Sequence, residues 1–167
     1  MKPQFSAPWS KALKLISLGV SVIPLVGLST AYFAIPDKTS LVWVMFVILP
    51  VGFYVGSLLF VVTGYEVSSS QLQVKRLLWT TNIDLNDLTS VKVTPLGLFK
   101  SWRVFGNGGF FSFTGWFRNK DLGTYRAFIT DHERGVVLRF SDKKPIVVSP
   151  DEPQRFQEYL SELKNLA

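Results

Sequence analysis

Apolar positions along the chain fall into three regimes. Residues 15–35 and residues 41–63 are apolar runs without a charged side chain, about 21 and about 23 residues long. At about 1.5 Å of rise per residue, either run spans a hydrocarbon core of about 30 Å. A soluble helix must turn a polar face to water, and the second run has only Tyr54, Ser57 and Thr63 to offer one. Both runs therefore read as transmembrane helices. Residues 36–40 connect them too briefly for anything but two antiparallel neighbours, which makes a transmembrane hairpin. A secretory signal would share the basic start, the apolar middle and the small residues Ser29 and Ala31 of the first run. That run is longer than a usual signal core of about 7–15 residues, and a second span follows at once, so a retained helix is the reading.

After Gly64 the pattern alternates and turn residues recur, as in an all-β unit of short strands. Strands are expected at residues 65–67, 72–79, 81–85, 88–95 ending at Pro95, 124–130, 136–140 and 145–148, about seven in all. The third regime is a helix. Phe156, Tyr159, Leu160, Leu163 and Leu166 share one face, and Arg155, Glu158, Glu162 and Lys164 the other. Its start is marked by Ser149 with Glu152 at capping-box spacing, by Asp151 with Gln154, and by Pro150 or Pro153 in the first turn. The expected fold is a membrane α-helical hairpin plus a mainly-β domain, an open barrel of about seven strands capped by a C-terminal α-helix. Residues 1–14, with Pro3, Phe5, Pro8 and Trp9 among lysines, read as a juxtamembrane leader. Residues 15–63 are the hairpin and residues 64–167 the domain.

Charge adds a direction. Lys2, Lys11 and Lys14 precede the first span and Lys75 and Arg76 follow the second, whereas the connection has only Lys38 beside Asp37. Basic residues concentrate on the cytoplasmic side, so both flanks are expected there. A cleaved first segment would leave the C-terminal domain on the same side. Of the net charge of +6, the part after Thr63 contributes 14 bases against 11 acids. That is too even for a nucleic-acid binder, which needs a dense basic patch along phosphates. It suits a surface near anionic lipid. The chain has no cysteine, which removes disulfides and thiolate metal sites.

Four stretches carry a family resemblance: YEVSSSQLQVKRLLW from Tyr65, IDLNDLTSVKV, the glycine run FGNGGFFSFTGWF, and the ending PIVVSPDEPQRFQEYL. Together they resemble the bacterial pleckstrin-homology (PH)-like domains of small membrane proteins, in particular those with two N-terminal spans before one such domain. The resemblance implies a PH-like fold and a place in a bacterial inner or cell membrane. Eukaryotic phosphoinositide-binding members carry a basic cluster between their first two strands. Here that turn is Ser68, Ser69 and Ser70, so recognition of that kind is not implied.

Candidate chemistry centres on residues 100–118. Trp102, Phe105, Phe110, Phe111, Phe113, Trp116 and Phe117 interleave with Gly106, Gly108, Gly109 and Gly115, and Arg103, Arg118 and Lys120 lie beside them. No Gly-Lys-Ser/Thr follows, so this is not a phosphate-binding P-loop. Two readings stand. Either the rings pack on their own barrel or on the hairpin, or they form a membrane-interface or partner surface with the basic residues near headgroups. Gly52 and Gly56 form a GxxxG that suits packing on the first helix, where Ser17, Ser21 and Gly27 are small, or homodimerisation. No ionisable side chain lies within either span, which argues against a transporter or channel.

His132, the only histidine, lies in DHERG, a sequence suited to an exposed turn, and alone it cannot build a metal site. Asp131 and Glu133 beside it are expected in water, Asp84, Asp87 and Asp121 are scattered, and Ser149 is taken as a helix cap. No enzyme, cofactor or metal is expected. The expected function is a membrane-anchored interaction or scaffold module at the cytoplasmic face, binding a protein partner or itself. The alternative is a lipid-headgroup or small-ligand sensor using residues 100–118.

Overall fold

A computed structural model of the chain describes residues 3–38, 40–94 and 101–166. Expectations resting on Lys2, Thr39, Pro95 and Lys100 lie outside the described residues. The chain opens with a short strand, β1 (Gln4–Ser6), then α1 (Lys11–Ala34) and α2 (Leu41–Leu59). α1 starts before its uncharged run because Ser10 caps it, its Oγ accepting the Leu13 N–H at 3.1 Å. Ser40 caps α2 in the same way, accepting from Trp43 N–H at 3.2 Å. Both helices are long and apolar enough to cross a membrane by length and composition. α2 buries none of its residues and α1 only Leu13, Ser17 and Ala31, so their Leu, Val, Ile and Phe side chains point mostly outward.

The packing of Gly52 and Gly56 on the first helix is not what the structure shows. A Cβ at either position would meet nothing within 4 Å, and Gly56 faces open space at the foot of the helices. The helices do meet at Ser21 and Tyr54, whose hydroxyls are 3.4 Å apart.

β2 (Val62–Val67), β3 (Gln71–Arg76) and β4 (Thr80–Asp84) form an antiparallel meander, and β1 pairs with β2 to complete a four-stranded sheet. The leader is thus part of the β-structure. Phe5 lies opposite Tyr65 in the ladder, is buried, and meets Phe156 edge-on at 5.0 Å. β5 (Leu88–Val93), β6 (Trp102–Gly108), β7 (Phe113–Asn119), β8 (Gly123–Ile129), β9 (Val136–Phe140) and β10 (Ile146–Val148) build a six-stranded sheet in the order β5-β9-β10-β8-β7-β6. β10 runs antiparallel to β9 and parallel to β8. Among the described residues no ladder joins the two sheets, so the barrel is open.

Among the described residues three strands lie beyond the expected seven: β1 in the leader, and β6 and β7. β6 and β7 form a hairpin within the segment of glycines and aromatics, where alternation predicts no strand.

A helix, α3 (Pro153–Leu163), closes the domain by burying Phe156 and Leu160 between the sheets, together with Tyr65, Val74, Leu138 and Val148. Its start differs from the expectation. Glu152 is the N-cap with no side-chain cap bond, and Pro153 takes the first turn. Ser149 instead turns inward from the end of β10. Its Oγ accepts the Thr130 N–H at 2.8 Å, and its own N–H donates to the Tyr65 hydroxyl at 3.1 Å. That hydroxyl donates to Phe128 O at 2.6 Å, and full burial pushes its pKa up to about 12. A second core lies on the outer face of the six-stranded sheet, where Leu13 at the base of α1 packs with Phe113, Phe117, Tyr125 and Val137.

Candidate functional site

The β6–β7 hairpin is shaped by its glycines. Gly106 and Gly115 are paired across the ladder with φ of 116° and 141°, values that disfavour an L side chain. A Cβ on Gly106 would strike Thr114 O, and one on Gly115 would strike Phe105 O. Only glycine lets the two backbones approach this closely. At the turn the Asn107 side chain holds Phe110 twice, accepting its N–H at 2.9 Å and donating to its carbonyl. Phe111 follows with φ of 63°.

That turn is wedged between the feet of the two apolar helices. Phe111 N–H donates to the buried Ser17 Oγ on α1 at 3.0 Å, and Ser112 Oγ donates to Phe60 O at the end of α2 at 3.2 Å. Phe110 stacks on Phe53 at 6.0 Å, while Phe111 meets Tyr54 at 5.5 Å and Trp9 at 5.8 Å. α1 therefore gives the domain a hydrogen bond, α2 and its end give a hydrogen bond and two aromatic contacts, and Trp9 just before α1 adds a third ring. Ser17, Phe53, Tyr54 and Ser112 take part in this seat without being candidates on sequence. The sequence marks Ser17 only as a small residue of the first run and Tyr54 only as one of three polar side chains in the second.

The ten candidate residues of this segment separate into four groups. Phe110 and Phe111 fill the wedge, and Phe113 and Phe117 are buried in the second core, so these four rings pack on the chain itself. Trp102 and Phe105 on β6 are 81% and 76% exposed, with Val104 exposed between them, and Arg103 is exposed as well. β6 ends the sheet order, leaving its outer edge unpaired among the described residues. Arg118 and Lys120 are exposed at the end of β7 remote from the wedge, since Arg118 pairs with Trp102 at the start of β6. Trp116 is half-buried beneath Lys144, whose Nζ is 5.2 Å from the ring.

Beside the wedge is a cleft of about 880 Å³. Its floor is the inner face of β6, β7 and β8, with Phe105, Trp116, Arg126 and Phe128. The last turns of α2, with Phe53, Gly56 and Phe60, form a wall, and Arg76 closes it from β3. The guanidiniums of Arg76 and Arg126 lie 5.4 and 4.8 Å from the Phe128 ring centre. Arg76 also donates to Phe60 O at 2.9 Å and Thr81 Oγ1 at 3.3 Å. Burial, and then the positive charge of Arg126, hold the Arg76 pKa below its ordinary value.

Residues 63–164 match the family model of the bacterial PH domain. The chain belongs to that family. No curated protein and no solved structure matches it. PH-like domains are in general non-catalytic interaction modules, and this chain carries one. The matched region of the bacterial PH domain omits β1 and the base of α1, although Phe5 and Leu13 complete its two cores.

His132 is not the exposed turn residue expected of DHERG. It is buried, with its ring edge-on to Phe113 at 4.2 Å, and its Nδ1 has no hydrogen-bond partner among the described residues. Burial lowers its pKa to about 4 although the neighbouring Asp131 works the other way. Asp131 is also largely buried, accepting from Glu133 N–H at 3.0 Å and pairing with Arg134 at 3.4 Å. The β8–β9 connection folds down onto the second core, which is why polar residues suited to a turn end up beneath Phe113.

Proposed function

We propose that the chain is a membrane-anchored interaction module in which α1 and α2 cross the bilayer and hold the PH domain in a fixed pose at the cytoplasmic face. The observation that carries this reading is the wedge: the 109–112 turn bonds to α1 through Ser17 and to α2 through Phe60. A flexible tether would leave the domain's orientation free. Here both helices are part of its surface, and the outward-facing residues of the hairpin need an apolar surrounding.

The partner surface in this reading is the free edge of β6, where Trp102, Val104 and Phe105 are exposed. An unpaired edge offers backbone donors and acceptors to an added strand, and exposed rings supply contact area. A photocrosslinker placed at Trp102 or Val104 in native membranes should yield a discrete adduct, with either a second copy or another protein. A uniformly monomeric species without adducts at either site would overturn the reading. Sensing of lipid headgroups is the second reading. It is favoured by the arginine-lined cleft, and it does not run through Phe117, which is buried.

A further inference from the structure

We propose that the cleft between the helix feet and the β6–β8 face is a binding site for one anionic phospholipid, whose phosphate, not neutralised by a cationic headgroup, is held by Arg76, Arg126 and Arg103, with an acyl chain laid along α2. The proposal deepens the second reading above and rests on the hairpin spanning the bilayer.

The cleft is amphiphilic along its length. Toward the helices it is lined by Ile16, Val20 and Phe53, and toward the domain by the three arginines. Among the described residues none of these arginines pairs with a carboxylate; the ion pairs lie at Lys75–Glu66, Arg134–Asp131, Lys143–Asp87 and Arg155–Glu152. Three cations line a largely apolar space, and two of them, Arg76 and Arg126, lie against a single phenylalanine ring, where their like charges oppose each other unless an anion sits between them. Guanidinium forks match phosphate oxygens in geometry as well as charge.

A free inorganic anion would satisfy the arginines and leave the upper cleft empty. That part is shaped for something apolar. Gly56 lines the wall, and a Cβ there would meet nothing within 4 Å, so the α2 surface is recessed where a chain would lie. The cleft sits where the apolar helices meet a domain with a slight excess of bases, which is the level of the headgroups if the hairpin spans. Its volume is of the size that encloses a ligand part rather than a single ion.

Native mass spectrometry of the full chain from mixed micelles of phosphatidylglycerol and phosphatidylcholine tests the proposal. One retained phosphatidylglycerol is expected, preferred over phosphatidylcholine by about tenfold or more, the scale of one charge-assisted contact. Arg103→Gln with Arg126→Gln, both exposed side chains outside the cores, should bring the two lipids to parity. Arg139→Gln, on another strand, should leave the preference unchanged. Gly56→Leu should reduce retention of both lipids by filling the recess.

Equal retention of the two lipids by the parent chain would overturn the proposal. So would a preference that survives the double arginine substitution, or inorganic phosphate displacing the lipid completely at millimolar concentration. Arg76→Gln is a further variant, read only if its unfolding temperature in lipid-free detergent matches the parent's. Alkaline carbonate extraction of the parent separates failure of this site from failure of the membrane reading. A chain that stays in the pellet but shows no lipid preference sinks the site alone, and a chain released into the supernatant sinks both.

Discussion

His132 ionises at about 4 in the folded chain against an ordinary 6.5, because the ring is buried under Phe113 where an imidazolium is poorly solvated. The unfolded chain therefore takes up the proton first as pH falls. Stability from this residue is complete above 6.5, drains away between 6.5 and about 4, and levels off below. The full loss is about 3 kcal/mol. His132→Phe keeps an aromatic ring against Phe113 and removes the titration, so denaturant unfolding of the variant should show less loss across this window than the parent. Identical pH dependence in the two chains would refute the assignment. Nothing in DHERG announces this burial, because every residue of it favours a turn and the cover comes from elsewhere in the chain. Ser149 misleads in the opposite way. Its spacing to Glu152 suits a cap, yet the strand pairing of β10 turns its hydroxyl to Thr130 and Tyr65.

Elements were legible where one period ran undisturbed. The two apolar runs, the meander of β2 to β4 and the amphipathic α3 carry their patterns locally and formed near them, although α2 stops at Leu59, so that Val62 and Thr63 of the second run belong to β2, and β3 stops at Arg76, short of Leu77 and Trp79. The β6–β7 hairpin was hidden because Gly106 and Gly115 occupy positions where an alternating strand would place side chains. Their function is close backbone approach, which is visible only once the two are paired. β1 was hidden by length, since three residues cannot establish a period. It matters nonetheless. Phe5→Ala should destabilise the domain by about 3 kcal/mol, as expected for emptying a buried aromatic site, measured by chemical unfolding in mild detergent. A fragment beginning at Gly64 should be less stable still, since it lacks both Phe5 and Leu13. If Phe5→Ala unfolds at the parent's denaturant midpoint, β1 is an ornament on the sheet rather than a part of it.

At the scale of the whole molecule, the pairing of β1 with β2 closes a loop around the helical hairpin. The segment before α1 and the domain after α2 are one folded unit, so if the hairpin crosses a bilayer both must lie on the same side of it. Which side follows from charge. Lys11, Lys14, Lys75 and Arg76 lie at the domain end, and Lys38 beside Asp37 at the other. The absence of native cysteine makes the test direct. Single cysteines at Gln4, Asp37 and Glu158, all exposed positions, are labelled in intact bacterial cells with a membrane-impermeant maleimide. Asp37→Cys should react at once, and Gln4→Cys and Glu158→Cys only after the membrane is opened. Labelling of Gln4→Cys and Glu158→Cys in intact cells, with Asp37→Cys protected, would invert the orientation while leaving the hairpin intact. Protection of one and labelling of the other would go further, because no single crossing pattern that keeps β1 in its sheet can place Gln4 and Glu158 on opposite sides.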